Sequence, residues 1–151
     1  MNYTIEDLEK AMLLALDPLR TERGGPAATL GSYGGWFEKN RANSGEAAPA
    51  MPAVLIEYLG ADYATAGAPH FLRSLRFAVL CASADLRSGE SRRREAYDLL
   101  ERTKKLLNHS DLGLAMAPLE IERESGVDTI GTLAVYRGEY LASFIEDAEQ
   151  Y

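Results

Sequence analysis

The chain reads as an α+β domain: a two-layer sandwich whose antiparallel or mixed sheet, of four to five strands, carries two main helices on one face. Three observations predict this. Segments of helical period open the chain and recur near residue 100, with runs of strand-like sequence between and after them. The strands come in succession with short connections, which favours antiparallel neighbours over βαβ units. The length of 151 residues fits one domain, 1–151, large enough to bury a core without a disulfide or metal staple.

The first helix is "TIEDLEKAMLLALDPLR". Thr4 is an N-cap with Asp7 three residues on, and Glu6 and Asp7 suit the positive helix start. Ile5, Leu8, Met12, Ala15 and Leu19 follow helical spacing, and Pro18 and Gly24-Gly25 end the helix. "AATLGSYGG" holds a short strand that stops at the turn Tyr33-Gly34-Gly35. Residues 39–51, rich in Ala, Asn, Ser, Gly and Pro, are expected to form a mobile loop.

"AVLIEY" at 53–58 is a strand that starts after Pro52, where a missing N–H matters little. "LGADYATAGAPH" reads as a second loop. The longest strand follows at about 71–83. Leu75, Phe77, Val79 and Cys81 share its large apolar face, and Arg76, Ala78, Leu80 and Ala82 its smaller, mixed one. "SRRREAYDLLERTKKLLN" is the clearest helix, with a stripe of Ala96, Leu99, Leu100, Thr103, Leu106 and Leu107. Asp98 with Arg102 and Glu101 with Lys105 are favourable i,i+4 pairs, and Asn108 ends the helix. "APLEIERE" and "TIGTLAVYRGEYL" close the chain as a hairpin. There is no internal repeat.

Composition narrows the function classes. The chain is 46% hydrophobic and 26% charged, ordinary for a globular protein. A net charge of −7 argues against a free-standing nucleic-acid binder, which carries a basic footprint. The lone Cys81 forms no intramolecular disulfide and suits a reducing compartment. The N-terminus has no signal-peptide pattern, and no apolar run is long enough to span a bilayer.

Catalytic motifs are sparse. His70 and His109 lack metal-ligand spacing, and Cys81 lies in an apolar strand, where a structural thiol is commoner than a nucleophile. "GGPAATLGSYGG" matches neither a P-loop nor GxGxxG. Two charged features remain. Arg92, Arg93 and Arg94 sit at a helix start, where their charge opposes the helix dipole. A carboxylate from another chain would balance them, and a solvated helix end is the competing reading. Glu120, Glu122 and Glu124 alternate along a strand and so share one face, about 7 Å apart. Chemistry alone leaves four readings of that stripe: a catalytic cluster, a metal site, a wet face, or a surface that must not adhere to a polyanion.

"MPAVLIEYLGA", "LRFAVLCASADLRSGESRRREAYDLLERTKKLL", "DLGLAMAPLEIERE" and "TLAVYRGEYL" closely resemble the Mu-like phage tail terminator family. The similarity runs from the first helix to the last strand. It is strongest at Pro52-Ala53-Val54-Leu55, at Phe77-Ala78-Val79 with Tyr97, Leu99 and Leu100, and at Leu112-Gly113-Leu114 with Pro118-Leu119. The resemblance implies a virion structural protein without enzymatic activity, catalytic residues, metal or cofactor. It implies a homo-oligomeric ring, commonly a hexamer, on the head-proximal end of a contractile tail. The implied partners are the tail tube and sheath proteins and a neck or head-completion protein, with no membrane. The resemblance also implies assembly in the host cytoplasm, with the virion tail as the final location. DNA passes through without specific binding, so Glu120, Glu122 and Glu124 are candidates to face the channel and Arg92, Arg93 and Arg94 candidates for the subunit interface. Two alternatives stand beside this: another connector or neck subunit, and a small regulatory ligand-binding α+β domain.

Overall fold

The computed structural model describes residues 2–37, 49–128 and 131–151. It has α1 (Ile5–Ala15), β1 (Thr29–Ser32), β2 (Ala53–Thr65), β3 (His70–Ser83), α2 (Gly89–Leu107), β4 (Glu120–Gly126) and β5 (Ala134–Asp147). The strands form one mixed sheet in the order β1-β2-β3-β5-β4, with β1 parallel to β2 and every other neighbour antiparallel. Both helices lie on one face, so the class is α+β. The part of the expected loop at 39–48 lies outside the described residues, as do Thr129 and Ile130 of the last expected strand.

Local chemistry accounts for the helices. The Thr4 hydroxyl accepts from Asp7 N at 3.0 Å, and Thr4 N donates to Asp7 Oδ2 at 2.9 Å, a reciprocal capping box. Ser88 caps α2 by accepting from Ser91 N. α2 buries Ala96, Leu99, Leu100, Thr103 and Leu107, while Leu106 is half-buried. Arg102 bonds Asp98 at 2.8 Å as expected. Glu101 pairs with Lys104 at 3.1 Å instead of Lys105, because a lysine stem reaches an acid three residues back as readily as four.

The main core lies between the helices and the sheet face that carries Val54, Ile56, Leu75, Phe77, Val79 and Tyr140. The opposite face departs from its expected mixed character. Ala78, Leu80 and Ala82 are buried there with Ala53, Leu55, Phe37 and Val135 in a second core. Tyr33 stacks on Phe37 at 5.4 Å, and Trp36 meets Phe37 edge-on, so the segment after β1 covers that end of the sheet.

The expected loop at 59–70 is mostly strand. β2 continues to Thr65, pairing Gly60 with Arg76 and Thr65 with Phe71, and only residues 66–69 turn. A bulge between Tyr58 and Gly60 takes up one residue, and Gly60 supplies the required φ of 133°.

Candidate interaction surface

Among the described residues, no helix covers the second face of the sheet near residues 57–65 and 70–76, called here the open face. Directly paired strand residues share a face, so the register assigns each side chain. Arg76, Leu72, Ser74, Leu141, Ser143, Ile145, Asp62 and Glu120 belong to the open face.

Glu120, Glu122 and Glu124 are exposed, Leu119 is buried, and Ile121 is half-buried against the core. The three glutamates do not share one face, however. β4 carries a bulge between Ile121 and Arg123, after which Arg123 opposes Glu139 and Glu124 opposes Gly138. Gly138 pairs with Val79 on the helix side, so Glu124 turns there. Its charge acts on Cys81, Lys104 and Tyr140, all on that side. The extra residue of a bulge shifts every later side chain by one place, which strict alternation does not anticipate. Glu122 stays on the open face and accepts from Arg76 Nε at 3.1 Å, while Arg76 Nη1 reaches Asp62 at 2.6 Å. Arg123 pairs with Glu139 at 2.9 Å. The open face is therefore an alternation of both signs.

The three arginines divide as well. Arg92 folds back so that Nη1 donates to Asp85 O at 3.1 Å, and Arg94 pairs with Glu90 one helical turn before it. Arg93 is exposed. Arg92 and Arg93 line a hollow of about 360 Å³ between the start of α2 and the β4–β5 connection, with Asp128 and Tyr136 opposite. Glu90 in the first turn offsets part of the dipole conflict.

The turn before α2 was not singled out from sequence, and it is tightly fastened. The Asp85 side chain is 8% exposed and accepts from Arg87 N at 2.9 Å, from the Arg87 guanidinium, and from Ser91 Oγ at 3.0 Å. The Arg87 bonds hold its carboxyl well below the usual carboxylate range. Leu86, between these two residues, projects into solvent. The sequence signal was Asp-x-Arg-Ser-Gly, whose aspartate turns back on the backbone two residues ahead.

His70 opens β3 and His109 follows α2 with a left-handed φ of 65°, and both are exposed. Cys81 is buried beneath α2, 3.8 Å from the Thr103 hydroxyl, and burial pushes its thiol up to about 12. Among the described residues no three His, Cys, Asp or Glu side chains gather as metal ligands do. Among the same residues no helix is long and apolar enough to cross a membrane.

Comparison with known proteins adds two findings. The family described as "Bacteriophage Mu, Gp37" matches residues 4–145. Among solved structures, a chain from the "Virion of native gene transfer agent (GTA) particle" is similar with a TM-score of 0.63 at 11% identity, covering 96% of this chain and 100% of that one. At that identity the likeness is one of fold. No curated protein matches the sequence.

Proposed function

The chain belongs to the Bacteriophage Mu, Gp37 family, and on that premise we propose that it is a virion structural protein, the tail terminator. In this reading copies form a closed ring, commonly a hexamer, that caps the head-proximal end of a contractile tail tube and its sheath. The ring also offers the joining surface for the neck. The observation that carries the reading is family membership over residues 4–145, supported by the end-to-end likeness of fold to a chain of a GTA virion. A ring requires two different surfaces that meet head to tail. The arginines at the start of α2 and the carboxylates of β4, interleaved on the sheet with Arg76 and Arg123, supply candidates for both.

Arg93 and Arg94 take the subunit-interface role in this proposal. Arg92, turned inward, positions the turn that carries them. β4 is the last strand of the sheet, so its edge can border the channel with Glu120 and Glu122 on one side and Glu124 on the other. Duplex DNA carries a negative charge about every 1.7 Å of axis, so lysine or arginine there would release counterions and retain it. Carboxylates repel it and leave passage smooth.

The test is assembly. Light scattering of the purified chain, alone and with tail tubes, is expected to give a ring or ring-capped tubes, and tails made without the chain are expected to overgrow. A chain that stays monomeric and leaves tube length unchanged overturns the terminator reading. For the channel, Glu120→Lys/Glu122→Lys/Glu124→Lys is expected to preserve the ring and slow DNA ejection. Normal ejection removes the role given to these carboxylates.

A further inference from the structure

Resting on the ring reading above, we propose the contact that closes it: the Leu86 turn of one copy seats in the hollow beside Leu72 and Ile145 of the next.

Leu86 is 86% exposed, the most exposed of the large apolar side chains among the described residues. It stands on a turn that Asp85 fastens with both backbone and side-chain bonds. Loop tips are ordinarily polar and loosely held. Here an apolar side chain is presented on a fastened mount: Arg87, paired with Asp85, follows it, and Arg93 and Arg94, the latter paired with Glu90, are exposed near the start of α2.

The matching surface lies on the open face. Leu72 and Ile145 are direct cross-strand partners, 38% and 49% exposed. With Met116 and Ser143 they line a hollow of about 290 Å³, room enough for a leucine side chain. Two carboxylates flank it on the same face, each two residues along a strand and so roughly 7 Å away. Asp147 follows Ile145, and Asp62 follows Ala64 in the reverse direction, Ala64 being the partner of Leu72. An apolar knob that precedes the exposed Arg93 of α2 thus meets an apolar hollow flanked by Asp147 and by Asp62, the latter shared with Arg76. Such opposition steers encounter and fixes register.

Position supplies the second argument. The hollow sits where β3 begins and the knob just after β3 ends. One copy therefore cannot engage itself, and two copies joined this way leave one free knob and one free hollow between them. The contact is heterologous and propagates until it closes.

The test is Leu86→Cys/Ile145→Cys in the full chain. Within one copy the two positions are separated by most of β3, roughly 35 Å, whereas a disulfide needs Cα atoms within about 7 Å. Native Cys81 is buried and does not compete. Mild oxidation is expected to give a ladder of covalent oligomers on a non-reducing gel, and each single variant at most dimers. In parallel, Leu86→Asp is expected to raise the concentration of half-assembly about tenfold or more, equal to about 1.4 kcal/mol, with an unchanged thermal melt. If rings form but the double variant stays uncrosslinked, or Leu86→Asp assembles like the parent, this contact is wrong and the ring stands. If no oligomer or tube cap forms at all, both are wrong.

Discussion

Arg73 Nη1 lies 3.3 Å from Glu146 Oε1 across the β3–β5 pair, with the two side chains only 13% and 8% exposed. The same nitrogen donates to Tyr3 O at 3.2 Å, and the Tyr151 hydroxyl donates to Glu146 Oε2 at 2.8 Å. The Arg73 guanidinium also stacks over Tyr63 and Phe144. Breaking such a pair from one side leaves a buried charge without a counterpart. Glu146→Leu is expected to cost about 3–5 kcal/mol, and Arg73→Met/Glu146→Leu to recover most of it. Urea melts of the two variants check this, and equal losses in both would show that packing, and not charge, governs the site.

Leu99 is fully buried where α2 meets the sheet, and Leu100 nearly so. Leu99→Ala is expected to lower stability by about 2–5 kcal/mol, with Leu100→Ala towards the smaller end because its pocket opens to water. Denaturant midpoints decide it; a shift near zero at Leu99 would remove α2 from the core.

Cys81 is expected to resist a thiol reagent at pH 8 in the folded chain and to react once unfolded. Its raised pKa also links stability to alkali. The folded thiol keeps its proton while the unfolded one, near 8.5, loses it. That contribution is whole below pH 8.5 and is lost as pH rises towards about 12. Cys81→Ala should flatten the alkaline limb of a stability–pH curve.

Asp85 carries the opposite linkage. Its carboxyl is depressed by Arg87, so its contribution is present above the unfolded value of about 3.9 and lost as pH falls below it. Asp85→Asn is expected to melt earlier than the parent at pH 7, with the gap closing in acid. A gap independent of pH would mean that Asn holds the turn by shape alone.

Association through Arg87, Arg93 and Arg94 is expected to weaken as salt rises, since exposed charges are screened within about 10 Å at 0.1 M. Light scattering across a salt series reads this. Arg93→Ala/Arg94→Ala should reduce the salt slope, and an unchanged slope would assign assembly to apolar contact only.

Much of the fold was legible because its signals are local. Thr4 with Asp7 announces α1, and the Leu99–Leu107 stripe announces α2. Three features were hidden. Gly60, Asp62, Gly67 and Pro69 carry turn chemistry, so the second half of β2 reads as loop; only its pairing with β3 makes it strand. Phe37 joins a second core that no period reveals, because it stands in an irregular segment. The Ile121–Arg123 bulge sends Glu124 to the far face, and bulges leave no mark in an alternating pattern. At the proposed interface, the arginines were visible as a run. The hollow was not, since it arises from Leu72 meeting Ile145 at long sequence distance.

The order β1-β2-β3-β5-β4 also governs how the chain reaches this state. β2 and β3 can zip as a hairpin as soon as both exist. β3's other edge must wait: His70 for Asp147, Ser83 for Ala134, with α2 and β4 made in between. Non-local pairing of this kind slows folding, because loop closure precedes the contacts that reward it. Asn2 then bonds Asp147 in both directions, at 2.9 and 2.8 Å, tying early sequence to late. The Leu72–Ile145 pair likewise exists only after β5 docks. Under the proposed contact, a nascent chain can display Leu86 but offers nowhere for another Leu86 to land, so docking of the last strand would act as a checkpoint on polymerisation.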